Sequence, residues 1–380
     1  MGTVLKNFIY FNEQDELITH HSLYMKDGII KELSSEISID EKSIDLKGAY
    51  LAPAFVDLQL NGGIKVYFSD TITEEVLEQM YLDHLHVGTV NILPTLVTTS
   101  LQNILKAIDV VKVYMSKGKP GVLGLHLEGP FLNMEKKGAH NPKHIRKPTD
   151  EELKTILDAG DGVIKMMTIA PEQFTDYQLT LIKEKGIIIS AGHSNATLEF
   201  SKSSFAKGVN CVTHLFNAMS SFGSREPGLV GATLDSDVYA GIIVDGFHCD
   251  DTAVRLAYRL KKGRLFLVSD ATFIGKEDLE MDGIQFIHQP GRYVNSEGNL
   301  AGSNISMYDA MKHSVIKVGI PVYDVFKMAS EIPLKLLGID DRYGKIKTGY
   351  FADLVALSKE DLSITHIFRR GEEIRKGVSQ

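Results

Sequence analysis

The sequence predicts an α/β protein, a TIM-like (β/α)8 barrel carrying a small discontinuous β domain built from both chain ends. Eight short apolar runs, each ending in a polar residue and followed by a helical or loop stretch, recur through the middle of the chain. Strands alternating with helices imply a parallel sheet, and eight such units close into a barrel whose strand carboxyl ends carry the chemistry. The two flanks share a different texture of short alternating strands broken by turn signals. The length of 380 residues accommodates both, since a barrel can hold roughly 250 residues in one domain.

Residues 1–50, with FNEQDEL and YMKDGII as turn-bearing segments, are expected to form the first part of the small β domain. The barrel is expected over 51–343. Its first four strands are LAPAFVD at 51–57, TVNILPT at 89–95, GVLGLHLE at 121–128 and VIKMMTIA at 163–170. The second four are GIIISAGH at 186–193, NCVTHLF at 210–216, YAGIIVD at 239–245 and RLFLVSD at 264–270. Between them, TEEVLEQMYLDHLHVG and TLEFSKSSFAKG repeat apolar residues at three- and four-residue steps, the spacing of amphipathic helices. Residues 344–380, with GKIKTGYFADLVAL and ITHIFRRGEEI, complete the β domain, since chain ends often lie close in space.

Composition narrows the function classes. Apolar residues at 43% and charged residues at 24%, with a mean hydropathy of -0.04, are ordinary globular values. No apolar run approaches the ~20 residues that span a bilayer, which excludes a membrane-spanning helix. The amino-terminal MGTVLKNFIY lacks the pattern of a secretion signal, so a cytoplasmic setting is expected. Two cysteines, Cys211 and Cys249, are too few for a disulfide framework and lack metal-finger spacing, in keeping with a reducing compartment. Lys plus Arg at 41 against Asp plus Glu at 49 leaves a net charge of -8 with no basic block, which excludes a nucleic-acid footprint. An anionic substrate must therefore be held by local cations.

Polar residues at the ends of the expected strands point into the barrel mouth. Glu128 ends the third strand in HLEGPF, His193 the fifth in AGHSNA and His214 the sixth in THLFNAM. One carboxylate and two imidazoles on neighbouring strands form a three-ligand set that leaves a metal's fourth position open for water, as catalytic zinc sites do. Each residue alone also fits a hydrogen-bonded core position; the three together point to a metal-dependent hydrolase. Asp270 ends the eighth strand in LVSDAT, where a carboxylate can accept a proton from water and return it to a leaving group. The same residue also fits a cap on a following helix.

His140 and His144 in EKKGAHNPKHIR, and His248 in DGFHCD, are loop histidines suited to polarising a carbonyl or binding an anion, or else simply solvated. Arg225 in FGSREPGLVG lies in a Gly- and Pro-punctuated loop, where a guanidinium grips a phosphate or pairs at the surface. His126 shares a strand face with Glu128 and lines the barrel or supports the site. His84 and His86 fall on a helix pattern, and His20, His21, His288, His313 and His366 lie outside the strand-end series; all are assigned to structure. Lys165 lies inside the fourth strand, which argues against a carbamylated bridging lysine.

The motifs PAFVDLQLNGG, HLEGPF, KKGAHNP, GHSNA, THLFNAM, REPG, DGFHC, LVSDAT and LAGS, in that order, resemble the N-acetylglucosamine-6-phosphate deacetylase family of the amidohydrolase superfamily over essentially the whole chain. The resemblance implies metal-dependent hydrolysis of the acetamide of N-acetyl-D-glucosamine 6-phosphate to D-glucosamine 6-phosphate and acetate in amino-sugar metabolism, by a homodimer. It makes Glu128, His193 and His214 metal ligands, Asp270 the acid/base and His140 a carbonyl polariser. It gives substrate contacts to Ala139, His140, Asn217, Ala218, Arg225, His248 and a loop of Leu300, Ala301, Gly302 and Ser303.

At strand one the chain departs from binuclear relatives: where many place two histidines separated by one residue, it has Gln59, Leu60 and Asn61. Amides are poor ligands for zinc, so one divalent metal per chain is expected, zinc first and Fe2+, Co2+ or Mn2+ as alternatives. Gln59 and Asn61 are expected in a hydrogen-bonded layer at the barrel mouth, with contacts to metal-bound water. Two other readings stay open on sequence. One is a different amidohydrolase reaction: opening a cyclic amide, or deacetylating another amino-sugar phosphate such as the galactosamine epimer. The other is a catalytically silent sugar-phosphate sensor, against which the intact set of Glu128, His193, His214 and Asp270 argues.

Overall fold

A computed structural model describes residues 2–376 apart from 282, 283, 297 and 299. Eight parallel strands follow one another in chain order around the barrel: β1 (Phe55–Leu60), β2 (Thr89–Val97), β3 (Leu125–Glu128), β4 (Ile164–Ile169), β5 (Ile188–Ala191), β6 (Val209–Val212), β7 (Tyr239–Ile242) and β8 (Leu265–Leu267). The seam between β1 and β8 is closed at the end of β1 and just past β8. There the Asp270 N–H donates to the Gln59 carbonyl at 3.0 Å and the Asn61 N–H to the Ala271 carbonyl at 3.1 Å. Every residue of β1, β3 and β5 is buried, as expected of strands packed on one face by side chains filling the barrel and on the other by helices.

The connecting helices are α1 (Glu74–Leu85), α2 (Leu101–Ser116), α3 (Asp150–Ala159), α4 (Asp176–Glu184), α5 (Leu198–Ala206), α6 (Gly228–Leu234) and α7 (Asp251–Leu260), followed by α8 (Met307–His313). Their start points are written in the sequence. Thr73, Ser100, Thr149, Thr175, Thr197 and Asp250 each turn a side-chain oxygen onto a free N–H of the first turn of α1–α5 and α7. Among the described residues no helix is long and apolar enough to cross a membrane.

Both chain ends enter a second sheet. Thr3–Phe11, Leu17–Lys26, Ile29–Ser34, Lys42–Asp45 and Tyr50–Pro53 come from the amino end, and Leu354–Leu357, Ile364–Arg369 and Glu372–Lys376 from the carboxyl end. The joint is the antiparallel pairing of Tyr50–Pro53 with Leu354–Leu357. Leu5, Phe8, Leu23, Ile30, Leu51, Leu354 and Phe368 build a core of its own beneath this sheet.

Three elements differ from the sequence reading. The run at 51–57 is not one strand: Tyr50–Pro53 belongs to the terminal sheet and only Phe55–Leu60 enters the barrel. The break falls at Pro53, which has no N–H to continue a ladder. No helix follows Asp270 directly, so it caps none. Instead Leu279–Met281, Ile284–Gln289, Arg292–Val294 and Leu300–Ser303 form a four-stranded antiparallel sheet before α8. Residues 300–303 are thus a strand rather than a loop, held against the barrel rim by the Ser303 N–H on the Asp270 carbonyl at 3.2 Å.

Candidate active site

The strand ends bring Glu128, His193, His214 and Asp270 together at the barrel mouth. Glu128 is the last residue of β3, while the other three lie just beyond β5, β6 and β8. Each of those three has a left-handed backbone, with φ of 49° at His193, 31° at His214 and 50° at Asp270. Non-glycine residues adopt that region at an energetic cost, and it is found where the surrounding fold over-determines a functional side chain. The turn ends each ladder and swings the side chain inward.

His193 Nε2 and His214 Nε2 each lie 3.2 Å from Glu128 Oε1 and 3.1 Å from one another. The Nδ1–H of His193 donates to the Lys136 carbonyl at 2.8 Å, which fixes the tautomer and leaves Nε2 as a bare lone pair facing the carboxylate. A lone pair and a carboxylate converging in this way are reconciled by a cation between them. Donor atoms held at about 2.0–2.1 Å in a tetrahedron stand roughly 3.3 Å apart, close to the separations found here. The donor set therefore fits a divalent metal. The His214 Nδ1 is buried without a partner among the described residues.

Glu128, His140 and His193 also form a compact group, with ligand-capable atoms within 4.8 Å of one another. The hydrogen bonding separates His140 from the other imidazoles. The Thr98 backbone N–H donates to His140 Nδ1 at 3.4 Å, so the ring proton sits on Nε2, 3.9 Å from Glu128 Oε1. That nitrogen presents an N–H to the site, not a lone pair. Glu128 is fully buried, which favours its neutral form, yet hydrogen bonding, from His140 first, holds its carboxyl well below the usual range.

Asp270 is the opposite case. Burial first, and the Glu128 charge second, push its carboxyl up to about 6. Gln59 Nε2 donates to Asp270 Oδ1 and to Glu128 Oε1, 3.1 Å in each case, and Asn61 Nδ2 donates to the same Asp270 oxygen at 2.7 Å. The two strand-one amides thus bind carboxylates as a hydrogen-bonded layer, and Asn61 Oδ1 stays buried without a partner among the described residues. Beneath them, Asp57 accepts from the Ser269 hydroxyl and from the backbone N–H groups of Gln59 and Ser269, tying β1 to β8 below Asp270.

The remaining candidates spread around the rim. His248 is held by Asp245, which accepts from its Nδ1–H at 2.6 Å and from its backbone N–H at 2.8 Å. Arg225 is exposed and makes no hydrogen bond or ion pair among the described residues. The Asn217 N–H already donates to the His214 carbonyl at 3.0 Å, so of the two neighbouring amides that of Ala218 is the one without a partner among the described residues. Ala139 is exposed beside Gly138, where any Cβ would stand 3.2 Å from the His193 ring. Gly302 packs so closely on Thr272 that no side chain fits there, and the side chains of Ala301 and His20 lie outside the described residues.

His126 is buried below Glu128, with Nδ1 donating to the Leu58 carbonyl at 2.9 Å and Nε2 accepting from the Thr168 hydroxyl at 2.7 Å. His84 is likewise buried, its Nε2–H on the Gly62 carbonyl at 3.0 Å, and His313 meets Asp251 at 2.7 Å. Asp57, Thr98 and Asp245 were not picked out from sequence. Asp245 offered a signal, an Asp ending a strand run ahead of a His-bearing turn, whereas the Thr98 contact runs through the main chain and leaves no trace in residue type.

Residues 50–374 match the profile of the amidohydrolase family. The chain is 41% identical over 330 residues to an N-acetylglucosamine-6-phosphate deacetylase from Haemophilus influenzae, covering 85% of this chain and 86% of that one. It is 34% identical over 372 residues to an N-acetylgalactosamine-6-phosphate deacetylase from Shewanella sp., covering 94% and 93%. A crystal structure of N-acetylglucosamine-6-phosphate deacetylase from Pasteurella multocida superposes with a TM-score of 0.94 at 34% identity, over 98% of this chain and 99% of that one.

Proposed function

The chain belongs to the amidohydrolase family, and from that premise we propose that it hydrolyses the acetamide of N-acetyl-D-glucosamine 6-phosphate to D-glucosamine 6-phosphate and acetate, in amino-sugar metabolism. The observation that carries this reading is the convergence of Glu128 Oε1, His193 Nε2 and His214 Nε2 to within 3.2 Å, with Asp270 across Gln59 from them. Glu128, His193 and His214 hold one divalent cation, zinc in the first instance, with Fe2+, Co2+ and Mn2+ suited to the same donors. When bound, it supplies Lewis acidity to the acetyl carbonyl and acidifies water.

Asp270 takes the proton from the attacking water and delivers it to the departing amine. Gln59 and Asn61 both donate to Oδ1, which orients the carboxyl and leaves Oδ2 to carry the proton. The Nε2–H of His140 steadies the charge that grows on the carbonyl oxygen. One water enters across the C–N bond, and acetate and the protonated amine leave. Arg225, His248 and the backbone near Ala218 hold the 6-phosphate, while Ala139, Asn217 and 300–303 line the sugar.

The assembly is a homodimer, supported by exposed Phe222 and Phe247, 64% and 42% accessible, beside the Arg225 and His248 loops. The setting is the cytoplasm, supported by two buried, unpaired cysteines. Acetate release from both 6-phosphorylated epimers and their unphosphorylated sugars tests the reading. Fastest turnover is expected on the phosphorylated glucosamine epimer; preference for the galactosamine epimer, or indifference to phosphate, would overturn the substrate assignment.

A further inference from the structure

We infer that Arg146 is a positioning residue for His140, acting through the backbone of Thr98 and Thr99. The inference rests on the reading of His140 as the group that polarises the acetyl carbonyl. That role needs the proton on Nε2, and the contact that puts it there is the Thr98 N–H on Nδ1 at 3.4 Å. The distance is at the long end for a hydrogen bond, so a shift of a few tenths of an ångström in the loop after β2 abolishes it. His140 would then be free to take the other tautomer and turn a lone pair, in place of an N–H, toward the carbonyl oxygen.

The loop after β2 is held where it is by Arg146. One guanidinium nitrogen, Nη1, donates to the Thr99 carbonyl at 3.2 Å and to the His144 carbonyl at 2.7 Å. Nε donates to Glu152 at the start of α3, 3.0 Å from Oε1 and 3.2 Å from Oε2, with Nη2 on the same carboxylate. The Arg146 backbone N–H donates to the Pro130 carbonyl at 3.2 Å, and the guanidinium lies over the Phe131 ring, 5.8 Å from its centroid. A single side chain therefore fastens the segment carrying Thr98 to the segment carrying His140, with Glu152 as the anchor. An ordinary half-exposed ion pair does little for stability. This one differs in spanning two catalytic loops, and the planar fork suits it because Nε and Nη2 meet the carboxylate side-on while the separate Nη1 reaches the two carbonyls, which a single ammonium nitrogen does not reproduce.

The test compares metal-loaded Arg146→Ala, Arg146→Lys, His140→Asn and the double variant Arg146→Ala/His140→Asn, with metal content and thermal midpoint measured beside kinetics. Arg146→Ala and Arg146→Lys should each lower kcat about 10- to 100-fold with KM little changed and metal content intact, the scale of a misplaced catalytic group. Millimolar guanidinium should restore part of the Arg146→Ala loss. In the His140→Asn background, removing Arg146 should cost less than twofold further, because the two act as one unit. If the Ala variant does not fold, the Lys variant carries the same expectation. Unchanged kcat in Arg146→Lys, or full multiplicative losses in the double variant, would overturn the positioning role. Near-normal kcat in His140→Asn would instead overturn the reading of His140 on which it rests.

Discussion

Gln59 and Asp270 face each other across the seam that closes the barrel, with Gln59 Nε2–H donating to Asp270 Oδ1 at 3.1 Å. The same nitrogen reaches Glu128 Oε1 at 3.1 Å, so one neutral amide links the carboxylate of the proposed metal set to the proposed acid/base. An imidazole at this position could hold a second cation. The amide instead donates to both carboxylates and sets the angle of Asp270.

Asp270→Asn keeps the shape of the site and removes its proposed proton carrier. Metal content should stay near that of the unmutated protein while kcat falls about 10^2- to 10^4-fold, the usual contribution of a general acid/base. Steady-state acetate release with parallel metal analysis checks this. Turnover within a few-fold of normal would take Asp270 out of the mechanism.

The proposed phosphate contacts can be separated from the proposed chemistry. A chain of net charge -8 repels a dianion at long range, so directed bonds must hold it, each charge-assisted one contributing about 1.5 to 3 kcal/mol. Arg225→Ala should lower kcat/KM for the phosphorylated sugar by about 10- to 100-fold and change little for the unphosphorylated one. Equal losses on both substrates would contradict a phosphate role.

Exposed Arg225, unpaired among the described residues and near Phe222 in the same loop, suits a site completed at a subunit boundary. Mixing Asp270→Asn chains with Arg225→Ala chains should restore activity on the phosphorylated sugar if Arg225 serves the neighbouring subunit. Sedimentation should give a dimer at working concentration; a monomer there would end the dimer assignment.

Asp57 supplies a pH dependence of stability. Burial pushes its carboxyl up to about 7, against the hydrogen bonds from Ser269 and Gln59 that lower it. A folded-state value above the unfolded one of roughly 3.9 means that its contribution is full below about pH 4 and is lost as pH rises through about 7. Unfolding free energy should therefore fall relative to Asp57→Asn across that window, by at most about 1.4 kcal/mol per pH unit. Denaturation of both proteins from pH 4 to 8 measures it, and a pH-independent difference would show that Asp57 stays ionised.

What the sequence made legible follows from where its signals sit. Glu128, His193, His214 and Asp270 could be read because each closes an apolar strand run, and barrel geometry converts that position into proximity. The boundary at Pro53 was masked, because a proline also fits the edge or first position of a strand and apolar residues flank it on both sides, although Leu51 packs under the terminal sheet and Phe55 in the barrel. The four-stranded sheet after Asp270 was hidden by the shortness of its strands, three to six residues each, whose small core joins Phe286 and Tyr293 to Phe273 ahead of them. Which imidazole faces the site with a lone pair and which with an N–H depends on the Lys136 carbonyl and the Thr98 amide. Main-chain groups are common to every residue, so no sequence pattern announces them.

The central claim is that Glu128, His193 and His214 hold a single cation and that the strand-one amides hold none. Metal content per chain after exhaustive dialysis tests it most directly. One tightly held equivalent is predicted in the unmutated protein, falling toward zero in Glu128→Ala. Two tightly held equivalents, both required for acetate release, would contradict it.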